Sequence, residues 1–351
     1  MSTDPAATVP QLMADNRVAL SYLGGERIDA FRAEPGPVRG PEDWIGSVWE
    51  LPAQFARGEA GATCGLSTLA DGRLLRDAIA ADTQAWLGDE LARATGGTPG
   101  VLVKLLDAGE RLPVHFHPSR SFAERHLRSA YGKTEGWVIL DAAAGASAWL
   151  GFRQEVEASQ VHDWIARQDA EAMLAAMNRR DVAAGDAIYV PAGVPHAFGP
   201  GILLCELQEP TSFSIHLEHL RFGMDEDVAT LGLGWEQALA GLELGSMSTA
   251  VDELWGAARP LRDGPGGTAS RLFPERGPRL FDALRVEVVG ELEVAPACFG
   301  IVVVLAGSGT LSVAAGAREV AAGETWVIPY AAGGATLAGE LDALLCKPPS
   351  V

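Results

Sequence analysis

The sequence predicts a mainly β fold built from two jelly-roll barrels with helical insertions, the second barrel being a degenerate copy. From Gly100 onward, short runs rich in β-branched and aromatic residues alternate with Gly and Pro, a pattern typical of antiparallel barrels and not of alternating βαβ units. Residues 323–329 (GETWVIP) also repeat the layout of residues 185–191 (GDAIYVP). The repeat indicates two copies of one structural unit.

The first barrel accounts for the N-terminal domain, which we predict at residues 1–222. Its first 15 residues are small and polar and are expected to be frayed. Between its strands, residues 155–178 carry apolar residues at helical spacing, which predicts two short helices over the barrel mouth. The predicted strands lie at residues 101–106, 112–117, 136–140, 146–152, 187–190 and 202–208.

The remainder of the chain is predicted to be a connection followed by the second barrel. Residues 223–270 are expected to be a mostly helical connection and a linker, because residues 262–268 (RDGPGGT) have the composition of a linker. Residues 271–351 then carry a second set of short β-rich runs. No histidine follows His219, so we expect this C-terminal domain to be metal-free.

Two histidine motifs stand out in the first domain. His115 and His117 alternate with apolar residues, so on a strand both imidazoles leave by one face. Downstream, residues 185–196 read GDAIYVPAGVPH, where Pro191 and Gly193 turn the chain and aim His196 back toward the barrel. The spacings are G-x5-H-x-H and G-x5-P-x-G-x-x-H, which is the paired signature of cupins.

The chain resembles the class I mannose-6-phosphate isomerases (phosphomannose isomerases) of the short bacterial type, a family in the cupin superfamily. The resemblance is carried by blocks in the family's order, and they lie between about residues 101 and 219, with a looser likeness in the C-terminal third. These blocks are residues 104–108 (KLLDA), 115–118 (HFHP), 132–137 (GKTEGW), 185–199 (GDAIYVPAGVPHAFG) and 206–208 (ELQ).

The resemblance implies one divalent metal held by His115, His117, Glu135 and His196. It favours zinc, although His115 replaces the glutamine that is the family's usual first ligand. The ligand types by themselves also permit Fe²⁺, Mn²⁺ or Ni²⁺. Glu124 competes with Glu135, because an ordinary cupin places its glutamate only a few residues after the second histidine. The other histidines set aside as ordinary core or surface residues are His126, His162 and His219.

By the same resemblance, Lys104 and Lys133 bind the substrate, and Lys133, Glu206 and His216 are the candidates for the catalytic acid or base. His216 stands ten residues after Glu206, where the family carries an arginine, and an imidazole is expected to titrate near neutral pH. Pro113 stands where a serine is usual. Both changes remove groups that the family associates with a phosphorylated sugar.

The function that this resemblance implies is that of a metal-dependent aldose–ketose isomerase, an intramolecular oxidoreductase. Mannose 6-phosphate and fructose 6-phosphate are the first pair to expect. Three alternatives stay open, since one fold hosts many chemistries. They are an isomerase of an unphosphorylated sugar, a cupin metalloenzyme of another class such as a dioxygenase or an epimerase, and a non-catalytic sugar sensor.

Charge and hydropathy restrict the partners. The net charge of −19 over 351 residues argues against a nucleic-acid or anionic-membrane surface. Neither a signal peptide nor an apolar run of spanning length is evident, which favours a cytoplasmic protein acting on a small-molecule sugar or sugar phosphate. The oligomeric state is left open by the sequence. The cysteines are expected to be free thiols, since no C-x-x-C pair occurs among Cys64, Cys205, Cys298 and Cys346.

Overall fold

The structure, a computed structural model, describes residues 3–33, 40–53, 64–275 and 277–351. Its α-helices are short and lie mainly between and around the strands. They are α1 Arg27–Phe31, α2 Leu75–Ala81, α3 Thr83–Leu87, α4 Asp89–Thr95, α5 Arg120–His126, α6 Ala158–Arg167, α7 Ala170–Ala176, α8 Glu226–Ala229 and α9 Trp235–Ala238.

The strands dominate the described part of the chain, which confirms the predicted mainly β class. They are β1 Gln11–Leu12, β2 Arg17–Val18, β3 Glu42–Ile45, β4 Leu102–Ala108, β5 His115–Phe116, β6 Glu135–Ala142, β7 Ser147–Phe152, β8 Met177–Asp181, β9 Ala187–Val190, β10 His196–Phe198, β11 Ile202–Gln208, β12 Ile215–His216, β13 Arg259–Gly264, β14 Gly267–Arg271, β15 Asp282–Val288, β16 Glu291–Ala295, β17 Gly300–Val313, β18 Gly316–Ala321, β19 Thr325–Ile328 and β20 Ala335–Lys347.

These strands form three antiparallel sheets. A six-stranded sheet has the order β2-β3-β4-β11-β6-β9, and a five-stranded sheet has the order β12-β5-β10-β7-β8. A nine-stranded sheet follows the path β1-β19-β17-β20-β15-β14-β13, with β16 pairing to β20 and β18 pairing to β17. The first two sheets enclose one hydrophobic core, and the third carries most of the C-terminal residues.

The six-stranded sheet is buried on both faces. Alternate residues of its central strands, such as Leu106 and Leu204, join the core shared with the five-stranded sheet. The residues between them, such as Leu105 and Leu207, pack against the nine-stranded sheet. Because side chains alternate along a strand, Lys104 on β4 shares the inner face with Leu106 and points into the first domain.

Helices α6 and α7 lie within residues 155–178, where two short helices were predicted. Their apolar side chains, including Trp164 and Met173, pack with Phe116 of β5 in one buried cluster. Phe116 points away from the face that carries His115. The helices therefore pack behind the histidine-bearing strand, on the side opposite His115, and not at the position expected for them.

Two local expectations are wrong. Residues 262–268 are no linker, because β13 and β14 pair as a hairpin that closes at Gly264 and Gly267, and β14 pairs with β15. The Pro-Gly-Gly composition is that of a tight turn between edge strands. Residues 223–258 contain only short helical turns, so this segment is not mostly helical. The division at residues 222 and 270 stays a prediction.

The N-terminal residues are also ordered where fraying was expected. Strand β1 pairs with β19, with Gln11 opposite Val327 and Leu12 opposite Trp326. Met13, which follows this strand, is buried in the core between the sheets. Pairing with β19, near the C-terminus, therefore orders a segment that has little strand propensity of its own.

The packing of strand β6 against two phenylalanines of the C-terminal part of the chain gives a first prediction. A Cβ added at Gly136 on β6 would lie 2.6 Å from the ring of Phe273 and 2.8 Å from that of Phe281. We expect Gly136→Ala to lower the free energy of unfolding by about 1–3 kcal/mol, since the packed rings must shift. Urea unfolding measures the effect. Gly264→Ala is the control, because a Cβ there meets nothing within 4 Å, and equal midpoints for the two variants would contradict the prediction.

No helix in the described ranges is both long and apolar enough to cross a membrane.

Candidate metal centre and adjoining pocket

Strand register brings three histidines side by side. In the five-stranded sheet, His115 on the short strand β5 is the partner of His196 on β10 and of His216 on β12. His117 follows on the same strand face, and its ring centroid lies 4.9 Å from that of His115 and 4.8 Å from that of His196. The period-two prediction for His115 and His117 is thus met.

The turn before His196 is fastened to the other histidine motif. Gly193 adopts a φ of +89°, which favours glycine, and its amide donates to the carbonyl oxygen of His117 at 2.7 Å. The Pro-x-Gly-x-x-His segment therefore aims His196 by a direct backbone contact with the segment that carries His115 and His117.

Hydrogen bonds fix the orientation of the three imidazoles. The Nδ1 atoms of His115, His117 and His196 lie 2.8, 2.9 and 2.9 Å from the backbone carbonyl oxygens of Pro113, Phe213 and Val194 respectively. A carbonyl can only accept, so each Nδ1 carries the proton and each Nε2 presents a lone pair.

These lone pairs fit a metal ion. The ligand atoms of His115, His117 and His196 all lie within 4.8 Å of one another. The Nε2 atom of His196 is buried and has no hydrogen-bond partner among the described residues, which is costly unless a ligand meets it. The buried cluster can therefore bind a divalent metal, and its nitrogen donors do not select one metal.

Glu135 lies at the same place, and Glu124 does not. The Oε1 atom of Glu135 is 2.9 Å from Nε2 of His117, and its Oε2 is 3.7 Å from Nε2 of His196. The indole of Trp137 donates to Oε2 at 3.0 Å. Glu124 is exposed on α5, so the carboxylate next to the histidines comes from the GKTE block.

Protonation states in the cluster suit ligation. Burial lowers the pKa of His115 well below its usual value, lowers the pKa of His117 to about 3, and lowers the pKa of His196. Burial opposes ionisation of Glu135, yet His117 and Lys133 together hold the pKa of its carboxyl well below the ordinary value. Neutral imidazoles and an ionised carboxylate are the forms that bind metals.

Lys133 contacts this cluster directly. Its Nζ lies 3.0 Å from Oε1 of Glu135, 3.4 Å from Nε2 of His117 and 3.3 Å from Oγ of Ser214. The loop is held by Glu209, which is 1% exposed and accepts from the amide of Thr134 at 2.9 Å. Sequence reasoning missed Glu209, although it directly follows the Glu-x-Gln block.

Lys104 is enclosed by two carboxylates. It is the register partner of Glu206, and its Nζ lies 2.8 Å from Oε2 of Glu206 and 3.2 Å from Oε1 of Glu42. Glu42 in turn accepts from the hydroxyl of Tyr22 at 2.8 Å and from the indole of Trp44 at 2.7 Å. Glu42 was not a predicted site residue. The sequence feature that could have identified it is an acidic residue two positions before Trp44, on a short strand whose residues are all buried.

The charges of Lys104 and Glu206 shift one another's pKa values. Burial favours the neutral amine of Lys104, but Glu206, Glu42 and Glu135 together raise its pKa. Burial and the neighbouring Glu135 raise the pKa of Glu206 well above that of an ordinary glutamate, although Lys104 acts in the opposite sense. Glu206 is therefore a carboxyl group that can hold a proton beside the histidine cluster.

A pocket of about 830 Å³, counting the open space at its mouth, adjoins the cluster. Its walls include all four catalytic and substrate-binding candidates, Lys104, Lys133, Glu206 and His216. The His216 ring stacks on His115 at a centroid distance of 5.5 Å. Burial, with Lys133 nearby, lowers the pKa of His216 to about 3, below the near-neutral value expected for an imidazole.

The three set-aside histidines lie away from this cluster. His126 on α5 pairs with the amide of Gln237 at 2.6 Å, and His162 is exposed on α6. His219 lies 3.0 Å through Nδ1 from the carbonyl oxygen of Met224. None of them belongs to the group of side chains that, among the described residues, could hold a metal ion.

Comparison with characterised proteins finds partial sequence matches. The chain is 30% identical over 163 residues to "Mannose-6-phosphate isomerase" of Streptococcus mutans, covering 43% of this chain and 50% of that protein. It is 34% identical over 117 residues to "Mannose-6-phosphate isomerase ManA" of Bacillus subtilis, covering 33% and 36%. The matched segments thus span half or less of these relatives' length. No protein-family model matches the chain.

Solved structures match over nearly the whole chain. The crystal structure of the mannose 6-phosphate isomerase from Bacillus subtilis superposes with a TM-score of 0.73 at 20% identity, covering 96% of this chain and 99% of that one. A single-residue variant of the phosphomannose isomerase from Salmonella typhimurium gives a TM-score of 0.75 at 15% identity, covering 97% and 100%. At these identities the likeness shows a shared fold.

Proposed function

Starting from its relationship to mannose-6-phosphate isomerases, we propose that this chain is a metal-dependent aldose–ketose isomerase. The observation that carries the proposal is the convergence of three neutral, buried imidazoles on one point beside a pocket. The names of the relatives make mannose 6-phosphate and fructose 6-phosphate the reference pair for this chain. The corresponding unphosphorylated sugars belong in the same test.

In this proposal His115, His117, His196 and Glu135 hold one divalent ion. Zinc is the ion that the family resemblance favours, and Fe²⁺, Mn²⁺ and Ni²⁺ suit the same donors. When bound, such an ion polarises a carbonyl oxygen and stabilises negative charge that develops on it. The fixed Nδ1–H···O=C contacts of the three histidines keep their Nε2 atoms aimed and reduce the cost of ordering the site.

The chain's own residues then handle the proton. Conversion of an aldose to a ketose needs a group that takes the proton from C2 and returns it to C1, through a cis-enediol, while a second proton passes from the hydroxyl on C2 to the oxygen on C1. Lys133, Glu206 and His216 all line the pocket and are the candidates. Lys133 is the one in contact with Glu135 and His117, so a sugar oxygen bound there would lie within its reach.

Lys104 has a supporting part in the proposal. It joins Glu42 to Glu206 through two ion pairs, so it fixes the carboxyl group of Glu206 at the pocket wall. It also contributes to substrate binding by lining the pocket. Removal of one partner from such a buried group leaves an uncompensated charge, which ties the shape of the pocket to all three side chains.

The proposal also covers the division into two barrels and the cellular location. We assign the six- and five-stranded sheets to a first cupin barrel and the nine-stranded sheet to a second, degenerate one that gives stability and pocket cover. The second barrel carries no histidine and contributes no metal ligand in this assignment. The protein would act in the cytoplasm on a small sugar or sugar phosphate.

The test incubates metal-replete protein in D₂O with hexoses, pentoses and their phosphates, and follows products by NMR. We expect conversion of at least one sugar, with deuterium appearing on C1 or C2, because the transferred proton exchanges with solvent at the base. Protein stripped of metal by a chelator is the control and should give neither. Absence of both conversion and exchange across the whole panel would contradict the isomerase proposal.

A further inference from the structure

Resting on the isomerase function proposed above, we propose that this pocket is built for an unphosphorylated sugar, which it recognises through hydroxyl groups. A phosphate group needs a positive charge that is free to meet it. A sugar hydroxyl needs acceptors as well as donors. The described walls of the pocket satisfy the second requirement and not the first.

The cations of the pocket walls are already engaged. Among the described lining residues the permanent positive charges are Lys104 and Lys133. Lys104 forms ion pairs with Glu42 and Glu206, and Lys133 forms one with Glu135. Both ammonium groups thus already have buried glutamate partners, and a phosphate dianion would have to compete with these partners for both lysines.

The arginines that flank the histidine strand are engaged too. Arg111 makes a bidentate ion pair with the buried carboxylate of Glu218, with both contacts at 2.6 Å. Arg120 pairs with the buried carboxylate of Glu209. Bidentate pairing holds the guanidinium of Arg111 in one geometry, whereas Arg120, whose side chain is 47% exposed, has a single contact with Glu209. Neither arginine lines the pocket in the described part of the chain, whereas the imidazole of His216 does.

Gln208 offers the opposite chemistry, a free acceptor. It lines the pocket, is 1% exposed, and is the register partner of Glu135. Its Nε2 donates to the carbonyl oxygens of Glu209 at 3.1 Å and Thr211 at 2.6 Å, which fixes the orientation of the amide. Its Oε1 then has no partner among the described residues. A buried acceptor of this kind needs a donor, and a sugar hydroxyl supplies one.

Small hydroxyl side chains complete the polar wall. Ser21, Ser212 and Ser214 line the pocket together with Thr211. Hydroxyls donate and accept, so they match the alternating donors and acceptors of a polyol. The other walls are apolar and include Leu20, Leu51 and Met224. A neutral ligand with a hydroxylated face therefore suits both surfaces.

The first experiment separates binding from catalysis by using ligands that cannot isomerise. Calorimetry on metal-replete protein compares mannitol with mannitol 1-phosphate. We expect mannitol to bind at least about tenfold more tightly, because the phosphate would have to displace buried glutamates from Lys104 and Lys133. Equal affinity, or tighter binding of the phosphate, would overturn the inference.

A charge-restoring variant sharpens the comparison. His216→Arg places a permanent cation on the pocket wall, and we expect it to raise the affinity for mannitol 1-phosphate relative to mannitol by about tenfold. The matched control is His162→Arg, which adds the same charge on exposed helix α6 and should leave the ratio unchanged. Metal content, which His216→Arg should retain, shows that the variant is folded at the site.

Turnover distinguishes this inference from the function on which it rests. Rates of deuterium exchange are compared for mannose with mannose 6-phosphate and for fructose with fructose 6-phosphate. Faster exchange of the free sugars supports the inference. Faster exchange of the phosphates keeps the isomerase function and overturns the inference. If neither class exchanges, the proposed function fails, whereas the preference for mannitol in calorimetry would still support a pocket for a neutral polyol.

Discussion

His117→Ala and His196→Ala are each expected to leave the purified protein nearly free of metal. Each change removes one of three imidazoles whose ligand atoms lie within 4.8 Å of one another. We expect metal affinity to fall by at least about 100-fold, since loss of even an outer-shell partner costs 10–100-fold. Elemental analysis after dialysis against a weak chelator measures the bound metal per chain. Deuterium exchange into the sugar should be lost with it.

The control for this prediction is His162→Ala, which removes an exposed imidazole from helix α6. It should retain the metal content and the activity of the parent. Glu135→Gln is a further comparison, because it keeps the side-chain shape and weakens one proposed ligand. Full metal retention in both His117→Ala and His196→Ala would refute the assignment of the centre to this cluster.

The histidine geometry could be predicted from sequence because it depends on short-range rules. His115 and His117 share a face through the two-residue period of a strand, and Phe116 between them packs into the opposite cluster. Pro191 and Gly193 encode a turn within the same dozen residues as His196. The pairing of His115 with both His196 and His216 is different, because register between distant strands is decided by the whole sheet.

The side chains that surround Lys104 could not be predicted from the sequence. Its partner Glu42 is 62 residues away in the chain, and Arg120 and Glu209, which fasten the Lys133 loop, are 89 residues apart. Local composition also predicts the wrong structure where tertiary contacts determine whether a strand forms. Residues 11–12 become a strand only because β19 offers an edge, and the glycine-rich residues 262–268 become a hairpin because β15 pairs with β14.

Lys133→Met is expected to lower kcat/KM by about 100-fold on the best sugar of the panel, while the metal content stays that of the parent. The ammonium lies 3.0 Å from Glu135 and lines the pocket, so its loss removes a group that can bind a sugar oxygen or move the proton. A positioned acid or base contributes about 10²–10⁴-fold. Metal binding should not weaken, because the change removes a positive charge next to a cation site. Initial rates by NMR and elemental analysis are measured on the same preparation.

The chain supplies its own matched control for this lysine. Lys347, the other lysine besides Lys104 and Lys133, lies at the end of β20 in the nine-stranded sheet, so Lys347→Met makes the same chemical change outside the pocket and should leave kcat/KM unaltered. A fall in kcat with unchanged KM would place Lys133 in the proton transfer, and a rise in KM alone would place it in substrate binding. An unchanged kcat/KM in Lys133→Met would exclude both roles and leave Glu206 and His216 as the candidates for the base.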